Sequence, residues 1–268
     1  MKLTTYSLQK QKRADTELPP QFAESYRPDL IKRSVHALQS AARQAYGAST
    51  EAGYRHSSRI SKRRRNYRGC YGFGISRVNR KILSRRGTRM FWVGAFSPQT
   101  VGGRRAHPPK QIKILEKLIN RKENQKAIRS AMAATLNKDL VAQRGHQLPS
   151  EYPFIVESAL EQAQKTKDVE EALVKLGFEN ELERSLIKKV RAGIATMRGR
   201  KYKRKKGLLI VTGGDCPLVK AARNLSGIDV VKAQDLNAEL LAPGAFPGRV
   251  TLWTEHALDV LKKEKLFV

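Results

Sequence analysis

The chain is poor in the residues that make small proteins rigid or reactive. Among 268 residues there are two cysteines, Cys70 and Cys216. Two thiols make neither a disulfide framework nor a four-cysteine zinc site, and they suit a reducing compartment. The five histidines (His36, His56, His107, His146, His256) are far apart and none has a partner four residues on, so a metal site is not expected. No stretch of 18 apolar residues occurs, so no transmembrane helix is expected. The start, Met1 to Leu8, lacks an apolar core before a small-residue cleavage site, so no secretory signal is expected. A serine nucleophile elbow, a P-loop and a G-x-G-x-x-G fingerprint are all missing. From 43 to 110 the sole acidic residue is Glu51, which leaves two-metal phosphate chemistry without ligands there.

What the chain has is positive charge. Lys and Arg number 53 against 24 Asp and Glu, a formal charge of +29. This exceeds what solubility needs and implies a polyanionic partner, either nucleic acid or an anionic membrane. The charge is concentrated. Residues 43–110 hold 17 basic residues and one acidic, and residues 188–206 hold ten basic and none acidic, whereas residues 207–268 are neutral. A membrane-surface protein would need a basic amphipathic helix with aromatic anchors, and neither stretch shows one. In the first stretch no helical or strand period survives more than a few residues. Its arginines and lysines (Arg55, Arg59, Lys62, Arg63, Arg64, Arg65, Arg68, Arg77, Arg80, Arg85, Arg86, Arg89, Arg104, Arg105) alternate with rings, among them Tyr71, Phe73 and Trp92, and His107 follows. Guanidinium forks match phosphate geometry, and rings stack on exposed bases. The second stretch, Arg198, Arg200, Lys201, Lys203, Arg204, Lys205 and Lys206, reads as a fixed phosphate contact, because it lies between a helical segment and a buried strand.

The remaining segments read as an α/β fold. Apolar residues at helical spacing predict a helix from Pro28 to Tyr46, with Pro28 in the first turn and Gly47 past the end. A long helix is predicted over 110–143, with further helices over 168–176 and 179–197. Leu208–Thr212 is an apolar strand running into Gly213-Gly214. A helix over Leu218–Leu225, a strand at Val230-Val231, a short helix over Asp235–Leu241, a strand over Val250–Trp253 and a helix over Glu255–Lys263 follow. Leu3–Leu8 and Phe154–Val156 are shorter strand candidates. Apolar strands alternating with helices predict a parallel sheet with helices on both faces, in three layers, with a long irregular basic loop inside the chain. The expected division is a globular domain of residues 1–46 and 108–268, an extended basic loop of residues 47–107, and a second basic segment at 188–206.

One turn invites an enzymatic reading. Gly213-Gly214-Asp215 follows a strand and precedes a helix, where open α/β sheets bind ligands. That would suit a nucleotide-binding enzyme acting on RNA. The turn lacks the phosphate-binding pattern, and no catalytic constellation accompanies it; Cys216 reads as a small buried side chain rather than a nucleophile.

Several ordered motifs carry a resemblance. They include Tyr26-Arg-Pro-Asp-Leu-Ile31 and, most specific of all, Pro98-Gln-Thr-Val-Gly-Gly-Arg-Arg-Ala-His-Pro-Pro-Lys110. Ile119-Asn-Arg-Lys-Glu-Asn124, Ser130–Thr135, Arg144-Gly-His146, Met197–Tyr202, Ala221–Asn224, Leu241–Gly244 and Leu252–Glu255 follow in order. Together they resemble the large-subunit ribosomal protein L-four family in its archaeal and eukaryotic form, over essentially the whole chain. The resemblance implies a globular α/β domain and an internal loop that enters ribosomal RNA and reaches the peptide exit tunnel. Its implied partners are large-subunit rRNA, neighbouring ribosomal proteins and the nascent polypeptide, in the cytoplasm, with no membrane, cofactor or catalytic role. The segment Gly72–Val78, followed by Asn79–Phe91, is similar to the family's loop tip. Gly74, Ser76, Arg77, Val78, Asn79 and Arg80 are then the tunnel-lining candidates.

Overall fold

Leu209–Thr212 and Thr251–Thr254 are buried at every residue, so the sheet they share needs apolar cover on both faces. The computed structural model describes residues 1–58, 60, 64–65, 71–72, 74–87 and 89–268. The chain divides into two units: Met1–Ala42 together with Glu116–Val268, and Arg43–Leu115. In chain order the elements are β1 (Lys2–Tyr6), β2 (Lys12–Glu17), α1 (Pro28–Ala41), β3 (Arg80–Arg86), β4 (Arg89–Gly94), α2 (Arg121–Leu136), α3 (Lys138–Gln143), β5 (Ile155–Val156), α4 (Thr166–Lys175) and α5 (Glu179–Leu186). Then come β6 (Lys188–Val190), β7 (Tyr202–Arg204), β8 (Leu209–Thr212), α6 (Leu218–Ala222), β9 (Asp229–Lys232), α7 (Ala238–Leu241), β10 (Thr251–Thr254) and α8 (Glu255–Lys263).

The first unit is built on a six-stranded sheet of order β2-β1-β5-β10-β8-β9. All neighbours are parallel except β1 and β2, which form an antiparallel edge. Alternate residues of each strand enter opposite layers. Ile155, Leu209, Val211 and Trp253 meet Ile31 and Val35 of α1, Ile128 and Met132 of α2, and Leu258 and Leu261 of α8. Val156, Leu208, Ile210 and Leu252 meet Val169 and Leu173 of α4 and Leu218 and Ala222 of α6. The three-layer α/β fold expected from the apolar strands is therefore present. β2 reads Lys-Arg-Ala-Asp-Thr-Glu and is almost wholly exposed, as suits an edge that must not pair with another chain. It has no apolar alternation, so its residues carry no strand signal of their own.

Four elements differ from expectation. α1 stops at Ala41, so Gly47 is not its cap; a Cβ at Gly47 would instead run into Gln111. Residues 110–120 are not helical, and the long helix predicted over 110–143 is two helices, α2 and α3. Ile112, Ile114 and Leu118 are 87%, 87% and 83% exposed. A short apolar stripe with nothing to pack on does not stabilise a helix. Asn137 separates α2 from α3, and its side-chain oxygen accepts from the Asp139 and Leu140 amides, the usual device for starting a new helix. The helix predicted over 179–197 ends at Leu186, and Lys188–Val190 pairs antiparallel with Tyr202–Arg204. Like charges at Lys188, Lys189 and Arg191, followed by Gly193 at φ +73°, favour extended chain and a turn there. Last, the loop expected to be irregular contains the hairpin β3–β4.

Candidate nucleic-acid interface

The unit Arg43–Leu115 holds 18 Lys and Arg against one Glu. Its described residues are organised by rings and turns. Tyr54 and Phe96 meet edge-on with centroids 4.8 Å apart, and the Arg104 guanidinium lies over Phe96 at 5.7 Å. The Ser97 carbonyl accepts from the Thr100 hydroxyl at 2.7 Å, and the Gly103 amide donates to the Thr100 carbonyl at 3.0 Å. A Cβ at Gly103 would overlap the Ser97 carbonyl, so this turn demands glycine. The motif Pro98–Lys110 is thus a packed turn, closed where the Ala48 amide donates to the Pro109 carbonyl at 3.0 Å.

The hairpin β3–β4 pairs Arg80 with Gly94 and Arg86 with Arg89, with an irregularity between Ile82 and Ser84. Arg80 donates to the Ser76 carbonyl at 2.6 Å and lies over the Trp92 ring at 5.8 Å. Arg77 lies over Tyr71 at 4.8 Å. Each contact places a guanidinium over an aromatic face, within the range of a cation–π attraction. Arg85, Arg86 and Arg89 are exposed and form none of the ion pairs among the described residues. A two-stranded hairpin that sets Arg86 opposite Arg89 is marginal by itself and is favoured by a bound anion.

The second basic segment belongs to the first unit. Lys203 and Arg204 lie on β7, and Lys188 of β6 sits 3.6 Å from the centre of the Tyr202 ring. Arg204 donates to the Ser226 hydroxyl at 2.9 Å, and Lys206 pairs with Asp229 at 3.0 Å. Lys201, Lys203 and Lys205 form no ion pair among the described residues. Arg198 and Arg200 are exposed in the turn between the strands.

Beside β7 lies a cleft of about 750 Å³, lined by Lys203–Lys206, Arg144, His146, Arg184 and the segment 243–247. Behind the His146 and Arg184 side chains of one wall lies a buried polar cluster. The Glu181 carboxylate accepts from Arg184 Nη2 at 2.6 Å and Nε at 2.7 Å, from the Gln147 amide at 3.0 Å, and from His146 Nδ1 at 2.7 Å. Burial pushes the Glu181 carboxyl up, but these donors outweigh it and hold it below the ordinary value of 4.5. Burial holds His146 below its ordinary 6.5 despite Glu181. The imidazole is therefore neutral near pH 7, and its Nδ1 proton goes to the carboxylate. Both shifts act in one direction. Below pH 6.5 the unfolded chain takes up the His146 proton first, and below 4.5 the unfolded carboxyl does the same. Thermal stability is thus expected to fall on acidification from about pH 6.5, and again from about pH 4.5. In His146→Gln the thermal midpoint should change less between pH 6.5 and 5 than in the unaltered protein. An identical pH profile would show that the cluster does not titrate in this way.

At the Gly213 turn the backbone amide is already engaged. It donates to Glu161 Oε1 at 3.0 Å, and the same carboxyl accepts from Thr254 at 2.6 Å and contacts His256 Nδ1 at 2.9 Å. A Cβ at Gly213 would overlap the His256 ring. An acidic group thus occupies the amide that a phosphate would need, which counts against the nucleotide-binding reading. Among the described residues no group of three or more His, Cys, Asp or Glu side chains could hold a metal ion, and no helix is long and apolar enough to cross a membrane.

Of the residues singled out from sequence, Arg55 sits 3.7 Å from Glu51, Arg64 and Arg65 are exposed, and Arg104, Arg105 and His107 belong to the packed turn region. Gly74 has φ +66°, the Ser76 carbonyl accepts from Arg80, and the Asn79 carbonyl accepts from the Ala95 amide at 2.8 Å. Arg59, Lys62, Arg63, Arg68 and Phe73 lie outside the described residues. Sequence reasoning missed the cleft. Arg144 and His146 were visible only as one short motif, and Arg184 only as part of an acidic helix, because they converge from distant parts of the chain.

Comparison with known proteins points the same way as the charge and the motifs. The chain matches the ribosomal protein L4/L1 family over residues 16–264. It is 48% identical to the large ribosomal subunit protein uL4 of Nanoarchaeum equitans over 268 residues, all of both chains. It is 45% identical to uL4 of Archaeoglobus fulgidus over 262 residues, 97% of this chain and 98% of that one. With uL4 of Methanocaldococcus jannaschii the identity is 45% over 266 residues, 98% of this chain and 99% of the other. Given likeness of this extent from end to end, the chain belongs to the ribosomal protein L4/L1 family.

Proposed function

We propose that this chain is a structural constituent of the large ribosomal subunit in the cytoplasm, that it binds large-subunit rRNA, and that it catalyses no reaction. Residues 47–107 act as the segment that enters the RNA. Residues 1–46 and 108–268 act as its folded anchor, and the 188–206 segment supplies further phosphate contacts. The span Gly72–Phe91 helps form the wall of the polypeptide exit tunnel, with Gly74, Ser76, Arg77, Val78, Asn79 and Arg80 nearest the nascent chain. Neighbouring ribosomal proteins complete its surroundings.

The observation that carries this reading is the pairing of 18 cations and one carboxylate in Arg43–Leu115 with guanidiniums placed over rings. Such a segment repels itself unless phosphates neutralise it, and its turns bring backbone close to the partner. Stacked Arg-aromatic pairs are ready to receive bases as well as phosphates. The chain is expected to co-sediment with large subunits and to crosslink to their RNA through residues 55–105. Sedimentation only with the small subunit, or crosslinks confined to residues 207–268, would overturn the reading.

A further inference from the structure

The cleft beside β7 is more than a phosphate-binding surface. It is lined by six Lys and Arg side chains, and no Asp or Glu is among its described lining residues. Arg144 is half-buried there. Its Nη2 donates to the Pro243 carbonyl at 2.7 Å, while its Nη1 is buried with no hydrogen-bond partner among the described residues. Burial, with Arg249 and Arg184 nearby, lowers its pKa to about 10. A desolvated guanidinium beside other cations, with no carboxylate of its own, is stabilised by an anion entering the cleft.

The rim has the opposite character. Phe246 is 74% exposed. It is presented by a turn in which Gly244 and Ala245 both adopt left-handed backbone, φ +75° and +67°. A non-glycine residue held there is uncommon, and such strain is found where a turn positions a functional group. Tyr26 lies on the same lining. The cavity volume is within the range of sites that take small ligands. A paired RNA strand would bring phosphates to the cations but leave the ring idle, because its bases face its own complement.

We propose that this cleft seats one unpaired RNA nucleotide, its phosphate held by Arg144 with Lys203 and Lys205 and its base laid on Phe246. The proposal rests on the RNA-binding reading above and adds to it a site for a bulged or splayed base. Fixing one nucleotide in this way would set the register of the folded unit on its RNA, which phosphate contacts to a regular duplex do not define.

The test uses the full chain and three synthetic RNAs at 0.15 M salt: a 20-base-pair duplex, the same duplex with a one-nucleotide bulge, and that bulge made abasic. The bulged duplex is expected to bind about tenfold more tightly than the perfect one, and the abasic bulge should lose most of the gain. Phe246→Ala, at an exposed position, should erase the preference for the bulge while leaving affinity for the perfect duplex and the thermal midpoint unchanged. Arg144→Gln should weaken binding of both bulged RNAs. Equal binding of all three RNAs, or a bulge preference that survives Phe246→Ala, would overturn the nucleotide site while leaving RNA binding intact. Competition by poly-glutamate as strong as by the bulged RNA would favour an acidic protein partner and likewise overturn it. Failure to bind any of the RNAs would bring down the RNA-binding reading beneath it.

Discussion

Replacing Lys201, Lys203, Arg204 and Lys205 together with alanine is expected to weaken binding to a large-subunit rRNA fragment about a thousandfold at 0.1 M salt. The size follows from counterion release. Each phosphate neutralised contributes about 0.7–0.9 to the slope of log affinity against log salt, so removing these cations should flatten the slope by about 3. Lys206 is left in place because it holds Asp229 at 3.0 Å. The four side chains are exposed, so the folded unit should melt as before. Rings should behave differently. Trp92→Ala removes the face on which Arg80 lies. If bases stack beside it, the cost is on the order of 1–3 kcal/mol with little change of slope. Titrations at four or five salt concentrations separate the two classes. A slope untouched by the quadruple change would show that this hairpin does not touch phosphate.

Asp229→Ala is expected to destabilise the first unit by about 3–5 kcal/mol, the usual cost of leaving a buried charge without its partner. The buried charge is Arg249, whose side chain is 1% exposed and whose Nη2 donates to Asp229 at 2.6 Å. The same guanidinium donates to the Gly207 carbonyl at 2.8 Å and the Leu240 carbonyl at 3.0 Å, tying the start of β8 to the end of α7. Arg249→Met should cost less than Asp229→Ala, because it removes the charge itself along with its need for a partner. Urea unfolding of the two variants gives the comparison. Equal stability of Asp229→Ala and the unaltered protein would show that Lys206 and Arg249 do not depend on this carboxylate.

Where the sequence was readable, one physical signal dominated. β8 and β10 were legible because strands buried on both faces are apolar at every residue, and α8 because its apolar stripe starts directly after the strand-ending Thr254. That threonine caps the helix by accepting from the Ala257 amide at 3.2 Å. The misreadings share a cause as well. Ile112, Leu115 and Leu118 have helical spacing, but spacing records a possible face and not a surface to bury it against. Lys188–Val190 continues a helical pattern, yet its pairing with Tyr202–Arg204 offers the backbone other partners. β3 was hidden because cations occupy both of its faces, which erases alternation even where a ladder forms, and β4, Arg-Met-Phe-Trp-Val-Gly, is a short apolar run whose partner strand gave no signal.

The chemistry of the partner and the class of the fold were already written in the order of the residues. Net charge, its segregation into two stretches and the apolar strands are properties of composition and order, and no folding rearranges them. Which cations act together is a matter of packing alone. Arg144, Arg184 and Lys203–Lys206 are scattered along the chain, yet they line one cleft. Whether a lysine is free to meet phosphate or already engaged depends on the neighbours that folding brings, as near neighbours Lys203 and Lys206 differ in having a carboxylate partner. Charge is carried by the residue, but its availability is set by distance and burial, and those exist only once the chain has packed.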